Sequence, residues 1–432
     1  MKKAASFALG CKVNQYESEA IAELFAEKGY EIVGIDEEAD VYVINTCTVT
    51  NFGDKKSRQL IRKVKRQNEN AIVAVVGCYA QTAPKELMEI AGVNLVIGTK
   101  DRAQIVEMVE QYDRANGVEN HVSDIMKERV FEPLSIQKLA NRTRAYLKIQ
   151  DGCSQYCSYC IIPYARGPIR SREPQEVVAE VKRLAENGFK EVVLTGIHVA
   201  SYGKDRRDTS LLDILKQVHE VEGIERIRFS SIEPNVVTEE FAQTMAALPK
   251  VCDHFHLSLQ SGCNKTLKEM NRKYDTEKYR QAVATLRKYL PKVALTTDII
   301  VGFPGETEED FRESYAFAEE IGFAKIHVFP YSPKRGTPAA ARKDQLLNAV
   351  KSERSHTLIQ LSDRMAADFL ADAVGTDAEV LYERAVGDGI YEGHTTNYMK
   401  VHGRSEADLT NRIAKTHITR AEGEMLFGDV EV

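Results

Sequence analysis

Three cysteines stand close together in the segment DGCSQYCSYCIIPYARGPIRSR, residues 151–172. Cys153, Cys157 and Cys160 form the pattern C-x3-C-x2-C, and clustered thiolates are typical ligands of iron–sulfur clusters and metals. A closed tetrahedral site uses four protein ligands, whereas a site that does chemistry leaves one position open. Three thiolates would therefore hold an iron–sulfur cluster and leave one iron free. Zinc is the alternative, although no histidine follows these cysteines before His198.

Three more cysteines follow predicted strands of the N-terminal segment. Cys11, Cys47 and Cys78 each come directly after an apolar run, and their separations are close to one βαβ unit of roughly thirty residues. Ligands of parallel sheets bind at the carboxyl ends of the strands, so these cysteines are expected to converge on one site. The alternative is three unrelated core cysteines. Four apolar runs alternate with helical stretches and predict a parallel α/β sheet: AASFALG (4–10), VYVINT (41–46), AIVAVVG (71–77) and VNLVIGT (93–99).

The remaining chain divides into two further parts. After a polar segment at 125–142, interpreted as a linker, six apolar runs each precede a helical stretch, which predicts a partial (β/α) barrel. The cysteine segment follows the first of these strands, at the end where such barrels carry their active sites. The last part contains short β-rich pieces between glycine and polar turns, typical of a small antiparallel β-barrel. The predicted domains are 1–125, 139–370 and 372–432.

Composition narrows the class of protein. The chain has 432 residues, 43% hydrophobic and 28% charged, as expected of a soluble globular protein. No apolar window reaches the length of a membrane span and no secretory cleavage site follows the N-terminus, which predicts a cytoplasmic protein without a membrane partner. Eight cysteines in so long a chain do not indicate a disulfide framework. Cys252 and Cys263 stand apart from both trios and are interpreted as structural.

The cysteine loop resembles that of the radical S-adenosylmethionine enzymes. The resemblance rests on C-x3-C-x2-C in the first loop of a (β/α) barrel, with the aromatic Tyr159 before the third cysteine. In that superfamily the open iron of a 4Fe-4S cluster chelates the methionine amino and carboxylate groups. One-electron reduction then cleaves the sulfonium and releases a 5′-deoxyadenosyl radical. The resemblance implies that the cofactor carries the difficult chemistry while the protein positions it.

The same resemblance implies four further cofactor-binding residues. Gly196, in TGIHVASYG, corresponds to a turn that packs against the methionine amino group, although the usual acidic residue of that turn is absent. Gly302, in DIIVGFPGETEEDF, corresponds to a stretch beside adenosine; a strand–turn–helix junction with Thr307 as N-cap is the structural alternative. Glu233 and Gln260 lie at barrel strand ends and are candidates for ribose contacts.

Over its whole length the chain resembles the methylthiotransferases. GCKVNQYES, INTCTVT and VVGCYAQ match the N-terminal motifs of that family, and GHTTNYMKV matches its RNA-binding TRAM domain. The resemblance implies two 4Fe-4S clusters, two S-adenosylmethionines per turnover, a tRNA anticodon stem-loop, a sulfur source, and an electron donor such as flavodoxin or ferredoxin. GCKVNQYES and CSYCIIPYARGPIRSR look most like the branch that acts on N6-threonylcarbamoyladenosine. Isopentenyladenosine in tRNA and an aspartate of ribosomal protein S12 are the alternatives, and a zinc RNA-binding module is the third hypothesis.

Candidate RNA contacts are spread over all three parts. KKSRQLIRKVKR (55–66) has seven basic residues among twelve, which indicates either phosphate binding or a solvated helix face. The last barrel is acidic, with a net charge of −5 over residues 376–432, so RNA would meet only a few placed side chains there. No catalytic residue beyond the cluster ligands is predicted. The candidate RNA contacts are Lys55, Arg58, Arg62, Arg166, Arg170, Arg172, Tyr398 and Lys400.

Overall fold

The computed structural model describes residues 1–136 and 143–431. Its N-terminal part is a six-stranded sheet in the order β2-β1-β3-β4-β5-β6, with every neighbouring pair parallel. The strands are β1 (Lys3–Ala8), β2 (Glu31–Ile32), β3 (Val41–Thr46), β4 (Ile72–Gly77), β5 (Leu95–Val96) and β6 (Glu119–Asn120). The helices are α1 (Lys12–Glu27), α2 (Asn51–Gln67), α3 (Cys78–Thr82), α4 (Pro84–Met88) and α5 (Ile105–Gln111).

Helices cover both faces of this sheet. Ile21 and Phe25 of α1 belong to the core on one face, and Ile61 and Val64 of α2 belong to the core on the other. Every residue of β3 is buried as a result, which explains why VYVINT does not alternate between apolar and polar residues. The predicted parallel α/β sheet is confirmed. The edge strands β2 and β6 were not predicted, since each has only two residues.

The central part is the predicted open barrel of six parallel strands. One sheet has the order β10-β9-β7-β8, another has β11-β12-β13, and parallel bridges join β10 to β11. The short β8 pairs antiparallel with the end of β7. The strands are β7 (Arg144–Asp151), β8 (Arg170–Ser171), β9 (Glu191–Gly196), β10 (Arg226–Phe229), β11 (His254–His256), β12 (Ala294–Val301) and β13 (Lys325–Pro330). The helices are α6 (Ile162–Arg166), α7 (Pro174–Glu186), α8 (Leu211–His219), α9 (Glu239–Ala247), α10 (Asn264–Glu269), α11 (Thr276–Tyr289), α12 (Glu308–Ile321) and α13 (Asn348–Ala371).

The N-terminal sheet is joined to the barrel through α1. Tyr16 and Ala20 of that helix lie in the barrel's own hydrophobic core, and the Tyr16 hydroxyl donates to the Leu134 carbonyl at 2.7 Å. Leu134 and Ile136 are themselves buried in the same core. The segment interpreted as a linker is therefore packed against the barrel up to residue 136. The predicted start of the second domain, residue 139, lies outside the described residues.

The C-terminal part is a closed barrel in the order β14-β15-β16-β18-β17. Its strands pair antiparallel, except β16 and β18, which pair in parallel. The predicted antiparallel barrel is therefore confirmed apart from this one pair. Within the described residues, no helix of the protein is long and apolar enough to cross a bilayer. The strands are β14 (Asp377–Gly387), β15 (Ile390–Thr395), β16 (Lys400–Arg404), β17 (Arg412–Glu422) and β18 (Met425–Val430).

Arginines from the central strands hold the small barrel in place. Arg226 donates to the carbonyls of His394 and Glu379, both at 2.9 Å. Arg228 donates to the Thr396 carbonyl at 2.9 Å, and its guanidinium lies 4.6 Å from the centre of the Tyr398 ring. Because Arg226 begins β10, as Arg144 begins β7 and contacts Glu383, the small barrel lies at the end of the central barrel opposite the strand ends that carry active sites.

His254, at the start of β11, is a titratable side chain buried at this interface. Its ring stacks on Tyr398 with centroids 4.9 Å apart, and burial together with the positive charge of Arg228 holds the pKa of His254 well below 6.5. Below about pH 6.5 the unfolded chain binds a proton on His254 and the folded chain does not. The free energy of unfolding therefore falls as pH is lowered below about 6.5.

We expect His254→Gln to flatten the decline in thermal unfolding temperature between about pH 7 and 5.5, since glutamine does not titrate. The exposed His356→Gln is the matched control and should leave the slope unchanged. An unchanged slope in His254→Gln would show that this ring does not couple folding to pH.

Candidate active site

The loop of Cys153, Cys157 and Cys160 lies directly after β7. Its backbone is held by hydrogen bonds from Cys153 N to the Gly167 carbonyl and from Cys160 N to the Cys157 carbonyl, each 3.0 Å. Burial raises the pKa of Cys153 to about 11 and that of Cys160 to about 12, and the neighbouring Cys157 adds to both rises. These two thiols are protonated at neutral pH until a cation replaces their protons, which suits ligands rather than free nucleophiles.

A buried chain of polar side chains leads away from this loop. Arg272 donates from Nη1 to the Cys157 sulfur at 3.0 Å and from Nη2 to Glu233 Oε1 at 2.7 Å. The other oxygen of Glu233 lies 3.0 Å from His198 Nε2. Burial acts to raise the pKa of Glu233, but the hydrogen bond from His198 and the charge of Arg272 hold it below its usual value. A charged carboxylate is thus fixed beside the cysteine loop.

The other predicted cofactor residues lie at neighbouring strand ends. Gly196 ends β9 and Gly302 follows β12 directly. Gln260 follows β11, with a φ of +73° and backbone hydrogen bonds to β12 from both its N–H and its carbonyl. Tyr159 packs against a small apolar cluster that includes Phe303, next to Gly302. The fold therefore brings all five predicted residues to the same end of the barrel as the cysteine loop, at its carboxyl-terminal strand ends.

The second trio converges at the carboxyl ends of three neighbouring strands. Cys47 and Cys78 directly follow β3 and β4, and Cys11 follows β1 after a short turn. Gly10 has a φ of +97°, and a Cβ there would stand only 2.6 Å from the Cys47 sulfur, so glycine is required beside Cys11. Burial raises the pKa of Cys47 to about 12, and Cys78 and Cys11 both add to that rise.

A buried ion network lies between this second trio and the barrel. Glu17 of α1 is fully buried and receives Lys148 Nζ at 2.8 Å, Arg166 Nη1 at 2.5 Å and Arg102 Nη1 at 2.5 Å. Burial acts to raise the pKa of Glu17, but the charges of these three cations hold it well below its usual value. Asp151, at the end of β7, lies 2.6 Å from Lys148 Nζ. The carboxylates and cations tie the N-terminal sheet to the first barrel strand.

Both trios fit the chemistry of an iron–sulfur cluster. Each offers only thiols, and each has a buried guanidinium at one sulfur: Arg272 at Cys157 and Arg166 at Cys78. Within residues 1–136 and 143–431, no three His, Cys, Asp or Glu side chains are already disposed around one metal ion. Thiolates of a 4Fe-4S cluster each bind a different iron atom, so they need not converge on one point.

The predicted RNA contacts divide into two groups. Lys55 and Arg62 are exposed on α2, while Arg58 donates to the Tyr79 hydroxyl at 2.8 Å. An open groove of about 600 Å³ borders this helix, with apolar and basic residues along it. Lys400 is half-exposed, 3.9 Å from Glu392. The residues that line the groove are Phe7, Leu9, Lys56, Gln59, Leu60, Arg62, Lys63 and Arg66.

Three of the four remaining predicted RNA contacts are interior side chains. Arg166, Arg170 and Arg172 are at most 3% exposed, because each lies among buried carboxylates or carbonyls. Arg172 pairs with Glu180 at 2.6 Å, and Arg170 lies 3.5 Å from Asp151. The Tyr398 ring contacts His254, His394, Arg144 and Arg228 at the interface between the barrels and is partly exposed. The three arginines hold the fold together and do not form a surface for phosphates, whereas the contact predicted for Tyr398 stays a prediction.

Sequence reasoning missed the polar residues that support the cysteines. Arg272 belongs to no recognised motif, and His198 lies within TGIHVASYG without an assigned role. The role of both depends on contacts with Glu233 across the barrel. Gln150 was also missed: its side chain donates to the Gly152 carbonyl at 2.7 Å and accepts from His198 N at 2.7 Å. One signal was available, since Gln150 is a polar residue at the end of an apolar strand, directly before the cysteine loop.

Comparison with known proteins agrees with this architecture. Residues 147–318 match the Radical SAM superfamily, and residues 3–98 match a family described as Uncharacterized protein family UPF0004. The chain is similar in fold to the radical S-adenosylmethionine methyltransferase TsrM of Kitasatospora setae, with a TM-score of 0.56 and 17% identity over 79% of this chain and 77% of that chain.

Sequence relatives extend over nearly the whole chain. The threonylcarbamoyladenosine tRNA methylthiotransferase MtaB of Bacillus subtilis is 47% identical, over 98% of this chain and 94% of that protein. MtaB of Aquifex aeolicus is 40% identical, over 88% and 92%. The tRNA-2-methylthio-N(6)-dimethylallyladenosine synthase of Moorella thermoacetica is 36% identical, over 98% and 96%. With two cysteine trios in the expected positions, the chain belongs to the methylthiotransferase family of radical S-adenosylmethionine enzymes.

Proposed function

We propose that this enzyme converts N6-threonylcarbamoyladenosine, next to the anticodon of tRNA, into its 2-methylthio derivative. The observation that carries the proposal is the presence of two cysteine trios, one on each domain, of which the N-terminal one is tied through Arg166 and Glu17 to the first barrel strand. The 47% identity to the Bacillus subtilis relative favours this substrate over isopentenyladenosine, for which the named relative shares 36%. The activity belongs in the cytoplasm, where tRNA is modified.

Each part of the chain has a distinct task in this proposal. Residues 1–125 hold the cluster that carries sulfur, through Cys11, Cys47 and Cys78, and residues 139–370 hold the radical cluster. When bound, the clusters and S-adenosylmethionine supply the single electron, the radical and the sulfur that the reaction requires. The protein buries Cys78 and Cys157, each against a guanidinium, and leaves the other four thiols partly or fully accessible. A soluble electron donor of the flavodoxin or ferredoxin type and a source of sulfur are the other partners.

Glu233 is positioned to meet the cofactor rather than the RNA. Its carboxylate is buried, ionised and held by Arg272 and His198 beside the Cys157 loop. A fixed carboxylate accepts hydrogen bonds from hydroxyls, which suits the ribose of S-adenosylmethionine. Gly196 and Gly302 lie at the adjoining strand ends, where they let the side chains of Gln150 and Lys351 approach the backbone closely. These residues bind and orient the cofactor, and none of them is required to transfer a proton.

RNA would be attracted mainly by α2. Lys55, Arg62 and the basic residues along the groove form a cationic surface on a chain whose formal net charge is −6. The last barrel, residues 372–432, contributes a few side chains such as Lys400 rather than a basic face. Binding through α2 predicts an affinity that falls steeply as salt rises.

The proposal is tested by mass spectrometry of nucleosides from total tRNA in a strain that lacks this protein. We expect the methylthio form of threonylcarbamoyladenosine to disappear and the methylthio form of isopentenyladenosine to remain. Reintroducing the gene should restore the missing nucleoside. If that nucleoside persists in the deletion strain, the substrate assignment is wrong, and the isopentenyl signal and the mass of ribosomal protein S12 identify the true substrate.

A further inference from the structure

Arg166 links the two cysteine trios. It ends α6, six residues after Cys160, yet its fully buried side chain reaches into the N-terminal trio. Its Nε donates to the Cys78 sulfur at 3.2 Å, and its Nη2 donates to the side-chain oxygen of Asn14 at 2.6 Å. Its Nη1 contacts Glu17 at 2.5 Å. A residue of the radical barrel thus contacts a proposed cluster ligand on the other domain.

Glu17 alone does not account for this placement. Lys148 and Arg102 also reach Glu17, at 2.8 Å and 2.5 Å, and are shared with Asp151 and Glu132. The two terminal nitrogens of Arg166 suffice to contact Glu17, yet its Nε is directed at the Cys78 sulfur. A protonated thiol is a weak acceptor and offsets little of the cost of burying a guanidinium. A thiolate that binds iron is a much better acceptor, because a hydrogen bond to an ionised partner is roughly twice as strong as one between neutral groups. The guanidinium is therefore placed as if a negative sulfur were present.

A positive N–H donor at a cluster sulfur has a definite electronic effect. Reduction adds one electron, and so one negative charge, to an iron–sulfur cluster. Hydrogen bonds to the sulfurs and nearby positive charge stabilise the more negative state, which raises the reduction potential. Because Arg166 is fully buried and its partners fix its position, bulk solvent screens its charge poorly.

We propose that Arg166 is a positioning residue that raises the reduction potential of the N-terminal cluster and fixes that cluster relative to the radical loop. This inference rests on the proposed function, since it requires a cluster at Cys11, Cys47 and Cys78. Arg166 does not touch the substrate. It acts through the Cys78 sulfur. The short segment from Cys160 to Arg166 fixes the position of the radical loop relative to the N-terminal trio.

The test uses the full chain with Cys153, Cys157 and Cys160 replaced by alanine, so that only the N-terminal cluster contributes a signal. The protein is loaded with iron and sulfide without oxygen and titrated with a chemical reductant while electron paramagnetic resonance follows the reduced cluster. The variants are Arg166→Gln, Arg166→Lys and Arg102→Gln. Arg102 is the matched control, because it is equally buried in the same network and has no contact with a thiol among the described residues.

We expect Arg166→Gln to shift the midpoint potential to a more negative value. Arg166→Lys should shift it less, since lysine keeps the charge but loses the planar fork. Arg102→Gln should leave the midpoint close to that of the parent. An unchanged midpoint in Arg166→Gln, or an equal shift in Arg102→Gln, overturns the inference. If Arg166→Gln does not retain iron, Arg166→Lys decides: a midpoint equal to the parent's overturns it.

The same experiment separates this inference from the proposed function. A parent chain that holds no iron after the three alanine substitutions has no N-terminal cluster, and both proposals then fail. A parent that holds a cluster whose potential is indifferent to Arg166 leaves the methylthiotransferase proposal intact and removes only the role of the arginine.

Discussion

Replacement of Cys153, Cys157 and Cys160 together with alanine is expected to lower the iron content from about eight to about four atoms per chain. It should also abolish both the cleavage of S-adenosylmethionine and the methylthiolated product. The three side chains provide the only thiols of their loop, and two of them are half-buried, so the fold should survive their truncation. Iron and sulfide analysis under anaerobic conditions measures the first effect, and mass spectrometry of the reaction measures the others.

The reciprocal variant makes this prediction specific. Alanine at Cys11, Cys47 and Cys78 should also halve the iron content and abolish the product, yet it should leave 5′-deoxyadenosine formation in place, since the radical loop is intact. Cys263→Ala is the matched control: Cys263 is buried but outside both trios, with its sulfur 3.5 Å from Asp310, and its loss should leave iron unchanged. Iron that stays near eight atoms in either triple variant would contradict the assignment of ligands.

The second large effect is expected at Glu17, where Glu17→Gln should lower the free energy of unfolding by about 3–5 kcal/mol. The carboxylate is fully buried against Lys148, Arg102 and Arg166, and its neutralisation leaves these cations with Asp151 and Glu132 as their remaining counter-ions, an excess of positive charge in the interior. Urea unfolding of the loaded chain measures the loss. Glu27→Gln, at the exposed end of the same helix, is the control and should change stability little.

The sign of the pH dependence follows from the same contacts. Since the folded-state pKa of Glu17 is held well below 4.5, its contribution to stability is present above about 4.5 and is lost as pH falls through the folded value. Glu17→Gln should therefore flatten the acid limb of the stability curve. A variant as stable as the parent, with an unchanged acid limb, would show that the network contributes nothing net to folding.

Local patterns predicted much of the architecture because they depend on neighbours in sequence. Cys47 and Cys78 could be placed at one sheet edge, since the strands before them are continuous apolar runs and parallel strands end on the same side. At the C-terminus, short β-rich pieces between glycine and polar turns predicted a barrel. The parallel pairing of β16 with β18 could not be seen, because short strands carry no signal of their partner.

The arginines show where sequence reasoning fails. Arg166, Arg170 and Arg172 follow the cysteine loop and, by charge alone, resemble a phosphate site. Their burial depends on partners such as Glu17, which is 149 residues away from Arg166 along the chain. Pairing over such distances leaves no periodicity or spacing to detect. The same holds for the stacking of Tyr398 on His254 of another domain, which the sequence did not predict.

The length of the stretch from Cys160 to Arg166 determines where the guanidinium of Arg166 lies. Four of its residues and Arg166 itself form α6, so each added or deleted residue would rotate the guanidinium by about 100° around the helix axis. A single insertion would turn Arg166 away from Cys78 without touching any proposed ligand. The number of residues between these two points is therefore as constrained as the cysteines themselves, and length variation in this family should be confined to other loops.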